Sequence, residues 1–102
     1  MEEKDIIEAI YSAVDATNDQ LPKDQQLDRS PETILFGRGG RLDSLGLVSF
    51  IIEVEQELAD KLGLSITLAD DRAMSQKNSP FLTIRTLTDY VKVLADENDG
   101  RN

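Results

Sequence analysis

The sequence predicts an all-α fold: an antiparallel bundle of three main helices plus a short helix, with a long first loop. Three observations predict it. Apolar residues recur with helical spacing in three separate stretches, Pro and Gly gather between those stretches, and the one alternating segment has no second strand to pair with. At 102 residues the chain has material for one modest core, so residues 1–102 form a single domain. There is no Trp, so that core is built mainly from Leu, Ile and Val.

The first helix is expected over Glu3–Asn18. Ile6, Ile10, Ala13 and Thr17 fall on one side with Ile7 and Val14 beside them, while Glu2, Glu8 and Asp15 face water. Its acidic first turn complements the helix dipole. From Asp19 to Arg41 the chain is polar and broken by Pro22, Pro31, Gly37, Gly39 and Gly40. A loop of that length needs pins, and Leu27, Ile34, Leu35 and Phe36 are the candidates. Ser30-Pro31-Glu32-Thr33 has the form of a cap and first turn, which predicts a short helix inside the loop.

The second helix begins at Ser44. Leu47, Ile51, Val54, Leu58 and Leu62 make one stripe behind it, and Gly63 follows where a left-handed residue ends a helix. Leu64-Ser65-Ile66-Thr67-Leu68 alternates and reads as an extended segment pinning Leu64, Ile66 and Leu68 to the core. Asp70-Asp71-Arg72 reads as a turn, or as the cap of a brief helical turn through Ala73 and Met74. The ligand spacing and central Gly of a calcium loop are missing there. Ser79-Pro80 supplies the N-cap and N1 proline of the short helix, which runs through Thr83. The last helix is expected after Thr86, with Asp89 as its capping partner and Leu87, Tyr90, Val91 and Leu94 as its buried stripe. Residues 96–102 form a polar tail that frays.

Composition excludes several function classes. Twenty acidic against eleven basic residues give a net charge of −9, which repels nucleic acid and anionic membrane and steers basic protein partners inward. The absence of Cys and His removes disulfides, zinc sites of the usual donors, Cys or His nucleophiles and the commonest general base. No metal site and no catalytic residue are expected. A carboxylate hydrolase needs two acids facing one cavity, and the acids here follow exposed helix faces. The charged start Met1-Glu2-Glu3-Lys4-Asp5 is unlike a signal peptide, and no apolar run reaches membrane-spanning length. A monomeric cytoplasmic protein without membrane insertion is the expectation.

Ser44 concentrates what remains. Its hydroxyl, or the carboxylate of Asp43, can cap the orphan N–H groups of the first turn. The same helix end, with partial positive charge and free N–H groups, receives a phosphate well. Arg38 and Arg41 lie close enough in sequence to meet that phosphate. At roughly 100° per residue, Leu45, Val48 and Ile52 lie off the core stripe on a separate face. A surface helix needs one apolar stripe. A second, rimmed by Glu53, Gln56, Glu57 and Asp60, reads as a contact surface for visiting proteins.

Leu42-Asp43-Ser44-Leu45, followed by a helix carrying Glu53-x-Glu55-x-Glu57, resembles an acyl carrier protein of the stand-alone bacterial type, in which the Ser of an Asp-Ser-Leu motif carries 4′-phosphopantetheine. The likeness spans most of the chain, from the N-terminal amphipathic helix through the long loop and the Ser-headed helix to the last helix. It implies that Ser44 is the attachment point for 4′-phosphopantetheine, placed there by a phosphopantetheinyl transferase, with Asp43 lying beside that enzyme's metal. It also implies that Leu45, Val48, Ile52, Glu53, Glu55 and Glu57 dock partners such as an acyl-ACP synthetase, a ketosynthase or an acyltransferase. A slot lined by Ile51, Val54, Leu58, Phe81 and Leu87 would admit part of an acyl chain, and the chain itself would not be an enzyme.

Departures from the pattern bear on which carrier is meant. Fatty-acid-synthesis carriers commonly have acids two and five places after the Ser, where this chain has Gly46 and Ser49, and their segment equivalent to Ala69–Ser79 is shorter. The first favours a carrier dedicated to a specialised pathway of lipid modification, lipopolysaccharide or polyketide synthesis, with a central fatty-acid carrier as the other option, and the second changes the local partner surface. Leu42 before Asp43 departs from the Gly-rich approach of aminoacyl carriers. An aminoacyl or D-alanyl carrier, and an unmodified acidic helical adaptor whose Ser44 is only a cap, are the alternatives.

Overall fold

Ile6, Ala9, Ile10, Ala13 and Val14 recur at three- and four-residue spacing, and all five are fully buried, so the first amphipathic stretch closes on a core along one face. The computed structural model describes residues 2–37, 39–68 and 80–99. Among them the regular structure is helical: α1 (Glu3–Asn18), α2 (Ser44–Leu62) and α3 (Ile84–Asp99), with one 3-10 turn at Lys23–Gln25 and no strand. Helix α1 packs against both α2 and α3, the arrangement of a small helical bundle. Thr17 at the end of α1 shares a groove with Gly46 and Ser49 at the start of α2, while Lys4 shares another with Lys61 at its end, so these two helices run antiparallel.

The bounds of α1 and α2 match the expectation from sequence. Gly63, at φ 62°, turns the chain out of α2, and the Leu64 N–H reaches back to the Leu58 carbonyl at 3.1 Å. Leu64 and Leu68 are then buried and Ile66 is half-buried, as the alternation implied. Phe50, outside the expected stripe, is wholly buried, whereas Leu62 is only half-buried. Phe81 and Tyr90 meet edge to face, with centroids 6.2 Å apart.

The long loop is held from both sides. The Asn18 side chain donates to the Leu27 carbonyl at 2.9 Å and accepts the Leu27 N–H at 2.7 Å, clamping the loop to the end of α1. On the other side an isolated antiparallel bridge joins Ile34 to Thr83. Around it Leu35 N–H donates to Leu82 O (2.7 Å), Ile84 N–H to Thr33 O (3.1 Å) and Arg85 N–H to Pro31 O (2.8 Å). Leu27 and Leu35 are the pins and Phe36 is half-buried, but Ile34 is not a pin: it is 41% exposed, and the bonds of the bridge are made by its neighbours Thr33 and Leu35. The Ser30 hydroxyl donates to Glu32, and this bond, the Glu32 backbone and Arg85 hold the Glu32 carboxyl below its usual range.

Three expectations need correction. Ser30–Thr33 is a turn closed by Thr33 N–H on Ser30 O (3.1 Å), and it does not continue into a helix. Pro80–Thr83 is also a turn, since the Leu82 carbonyl accepts from Leu35 and the Pro80 carbonyl from Thr86, which leaves neither to a short helix. Helix α3 starts at Ile84, one turn earlier than Thr86 suggested. Thr83 and Thr86 form the reciprocal box, with Thr86 N–H on Thr83 Oγ1 at 3.1 Å and Thr83 N–H on Thr86 Oγ1 at 3.0 Å. Its stripe is Ile84, Leu87, Val91 and Ala95 with Tyr90 and Leu94 half-buried, and the helix runs through the expected frayed tail as far as Asp99. Ser79 and the expected turn at Asp70–Met74 lie outside the described residues.

A Cβ on Gly40 would stand 2.8 Å from the Phe36 N, Cα and C atoms, so the backbone itself must yield. Gly40→Ala is expected to lower the unfolding free energy by about 1–3 kcal/mol, seen as a lower denaturant midpoint at unchanged slope. Thr83→Ala removes half of the α3 capping box and is expected to cost about 1 kcal/mol in the same measurement.

Candidate functional site

The start of α2 divides two tasks between neighbouring residues. Asp43 is the N-cap: extended at φ −81°, ψ −178°, it accepts the Gly46 N–H on Oδ1 at 2.7 Å, and its carbonyl takes the Leu47 N–H at 2.8 Å. Ser44 is therefore the first helical residue and is not needed as the cap. It is exposed, and its hydroxyl has no hydrogen-bond partner among the described residues. Gly46 fits the arrangement closely, since a Cβ there would come within 3.1 Å of the capping oxygen.

The approach to this end is fixed. Leu42 is 7% exposed, and its N–H donates to Leu35 O at 3.2 Å, which ties the residue before the cap to the bridged loop. Beyond Asp43 no acid lies in the first turn of α2. A phosphate ester on the Ser44 oxygen would meet the positive end of the helix dipole and the first-turn N–H groups that Asp43 leaves open. Arg41 is committed elsewhere, donating from Nη1 to the Asp24 carbonyl at 2.7 Å. Arg38 lies outside the described residues.

Leu45 is 77% exposed and Ile52 46%, two turns apart on one face, with Val48 half-buried between them. The three acids read together from sequence are separated by the helix. Residues two apart point about 200° from one another, so Glu55 faces away from Glu53 and Glu57. The Glu55 carboxylate accepts the Leu68 N–H at 2.5 Å and holds down the segment after α2. Glu57 is half-buried and stands 4.0 Å from Lys61, and Glu53 is half-buried beside a groove.

That groove, about 300 Å³, runs between the end of α1 and the first turns of α2. Leu21, Leu42 and Leu45 line it together with Thr17, Gln20, Gly46 and Ser49 and with the acids Asp43 and Glu53. Nothing in the sequence flagged Thr17, Gln20 or Leu21 for this position; they meet α2 only through the antiparallel packing. The residues expected to line an acyl slot, Ile51, Val54, Leu58, Phe81 and Leu87, are each at most 1% exposed and pack in the core.

Among the described residues no group of three or more acids is placed to hold a metal ion, and no helix is long and apolar enough to cross a membrane. No family model, curated protein or solved structure matches the chain.

If Asp43 is the cap and Ser44 is not, Asp43→Ala should cost about 1 kcal/mol in chemical denaturation, while Ser44→Ala should stay within about 0.5 kcal/mol of the parent. Glu55→Ala should cost about 1–3 kcal/mol by orphaning the Leu68 N–H, and Glu53→Ala much less.

Proposed function

We propose that this chain is an acyl carrier protein, with Ser44 as the attachment point for 4′-phosphopantetheine. The observation that carries the reading is the exposed Ser44 at the head of α2, whose hydroxyl has no hydrogen-bond partner among the described residues because Asp43 does the capping. A serine kept only for capping would make the bond that Asp43 makes. Four features sit with the proposal: the all-helical domain, the long first loop, the Leu42-Asp43-Ser44-Leu45 sequence and the net charge of −9.

The chain's own part is presentation. Leu45 and Ile52, with the edge of Val48, form the apolar contact for a phosphopantetheinyl transferase and then for an acyl-ACP synthetase, ketosynthase or acyltransferase. Glu53 and Glu57 supply the charge that draws basic enzymes in, while Asp43 lies next to the transferase's metal. When attached, the arm supplies a terminal thiol on which an acyl group is held as a thioester. Glu55 drops out of the docking set, since its carboxylate is occupied by Leu68. With Gly46 and Ser49 where fatty-acid carriers commonly bear acids, a specialised lipid or polyketide pathway in the cytoplasm is the favoured setting.

Incubation with a broad-specificity phosphopantetheinyl transferase and CoA should add one phosphopantetheine to the wild type by intact mass and none to Ser44→Ala. A wild type that gains no mass would overturn the carrier reading and leave an unmodified acidic adaptor that uses Leu45 and Ile52 for contact. Because exposed charges are screened within about 8 Å at physiological salt, the loading rate should fall as ionic strength rises.

A further inference from the structure

We infer that the groove between α1 and α2, and not the helical core, is the resting place of the arm attached at Ser44; this rests on the carrier reading. The core is closed: Ile51, Val54, Leu58, Phe81 and Leu87 are packed to 1% exposure or less, so entry there would have to displace well-packed side chains. The groove is open, and its volume of about 300 Å³ lies at the small end of the pockets that take small molecules. It begins one residue from the attachment point, since Leu45 and Gly46 both line it.

The lining suits that occupant. Beyond its phosphate, a pantetheine chain is neutral: a dimethyl carbon, a hydroxyl, two amides and a thiol. Leu21, Leu42 and Leu45 offer apolar contact for the dimethyl carbon, and Thr17, Gln20 and Ser49 offer neutral donors and acceptors for the amides. Asp43 and Glu53, which also line the groove, oppose a free anion there, which separates the two ends of the arm. The phosphate stays at the helix N-terminus and the uncharged remainder lies in the groove. Docking there also covers Leu45, the most exposed large apolar side chain of the described residues.

The test uses the full chain loaded by transferase and CoA, with loading confirmed by intact mass. In the labelled wild type, the arm's methyl protons should show nuclear Overhauser contacts to the methyls of Leu21, Leu42 and Leu45, and the amide signals of Thr17, Gln20 and Ser49 should move relative to the unmodified protein. Ser49→Trp, at an exposed position, fills the groove, and the thiol of its loaded form should be alkylated about fivefold faster, the ratio equivalent to about 1 kcal/mol of lost contact. If the arm is attached but its contacts fall on Val48 and Ile52 or on nothing, the groove proposal is overturned while the carrier reading stands; an unchanged alkylation rate in Ser49→Trp has the same meaning. If the wild type takes up no arm, the carrier reading itself fails and the groove proposal goes with it.

Discussion

A short relay of backbone hydrogen bonds decides where α2 begins. Arg85 and Ile84, the first residues of α3, donate to the carbonyls of Pro31 and Thr33 in the long loop. Leu35 donates back to Leu82, and Leu42 donates to Leu35. A helix start has N–H groups that need acceptors, and a long loop has carbonyls that need donors, so each satisfies the other. The relay ends at Leu42, immediately before Asp43 and Ser44. Gly40 belongs to the same construction, because only a residue without Cβ allows the chain to pass the Phe36 backbone so closely. The position of the Ser44 hydroxyl is thus set by the loop and by α3, although neither touches it.

Given that placement, the cap frees the serine. Asp43 and Ser44 are both good capping residues, and sequence alone allows either. The extended backbone of Asp43 and its 2.7 Å bond to Gly46 decide between them, with Gly46 leaving the capping oxygen room. Just beyond, three leucines take different fates: Leu42 and Leu47 are buried and Leu45 is 77% exposed. Leaving a leucine in water forgoes about 1.5–3 kcal/mol of burial. A domain of this size has little core to spare, which gives the exposed pair Leu45 and Ile52 more weight than a lone surface leucine carries.

Periodicity and caps made α1 and α2 legible to the residue: Ile6, Ile10 and Ala13 mark one stripe, Leu47, Ile51, Val54 and Leu58 the other, and Gly63 the stop. What escaped was set by distant partners. Thr86 and Asp89 have the spacing of a capping box, but the box that forms is Thr83 with Thr86, one turn earlier, and it brings Ile84 into the core. Ser30-Pro31 and the Pro80 segment both resemble helix starts. They remain turns because the carbonyls and amides around them are used between the loop and α3. Glu55 looked like one of three equivalent acids until Leu68, thirteen residues on, claimed its carboxylate. The exposed Ser44 was legible as a helix head, and the groove beside it was not, since a third of its lining, Thr17, Gln20 and Leu21, comes from the last turn of α1 and the residues just after it.

The sorting of acids along α2 bears on how the head of that helix could accept the proposed phosphate in so acidic a protein. Glu53 is nine residues beyond Ser44, about 13 Å along the axis at 1.5 Å per residue. That exceeds the screening length of about 8 Å at physiological salt, so Glu53 and Glu57 act on an approaching enzyme while exerting little force on a group at Ser44. Among the described residues Asp43 is the one carboxylate at the cap or first turn of α2, and its oxygen is already engaged with the Gly46 N–H. With no acid in the first turn, the helix end keeps its positive character in spite of a net charge of −9. Steering charge and anion-tolerant helix end are thereby kept apart on a single helix, an arrangement compatible with the phosphate ester proposed at Ser44.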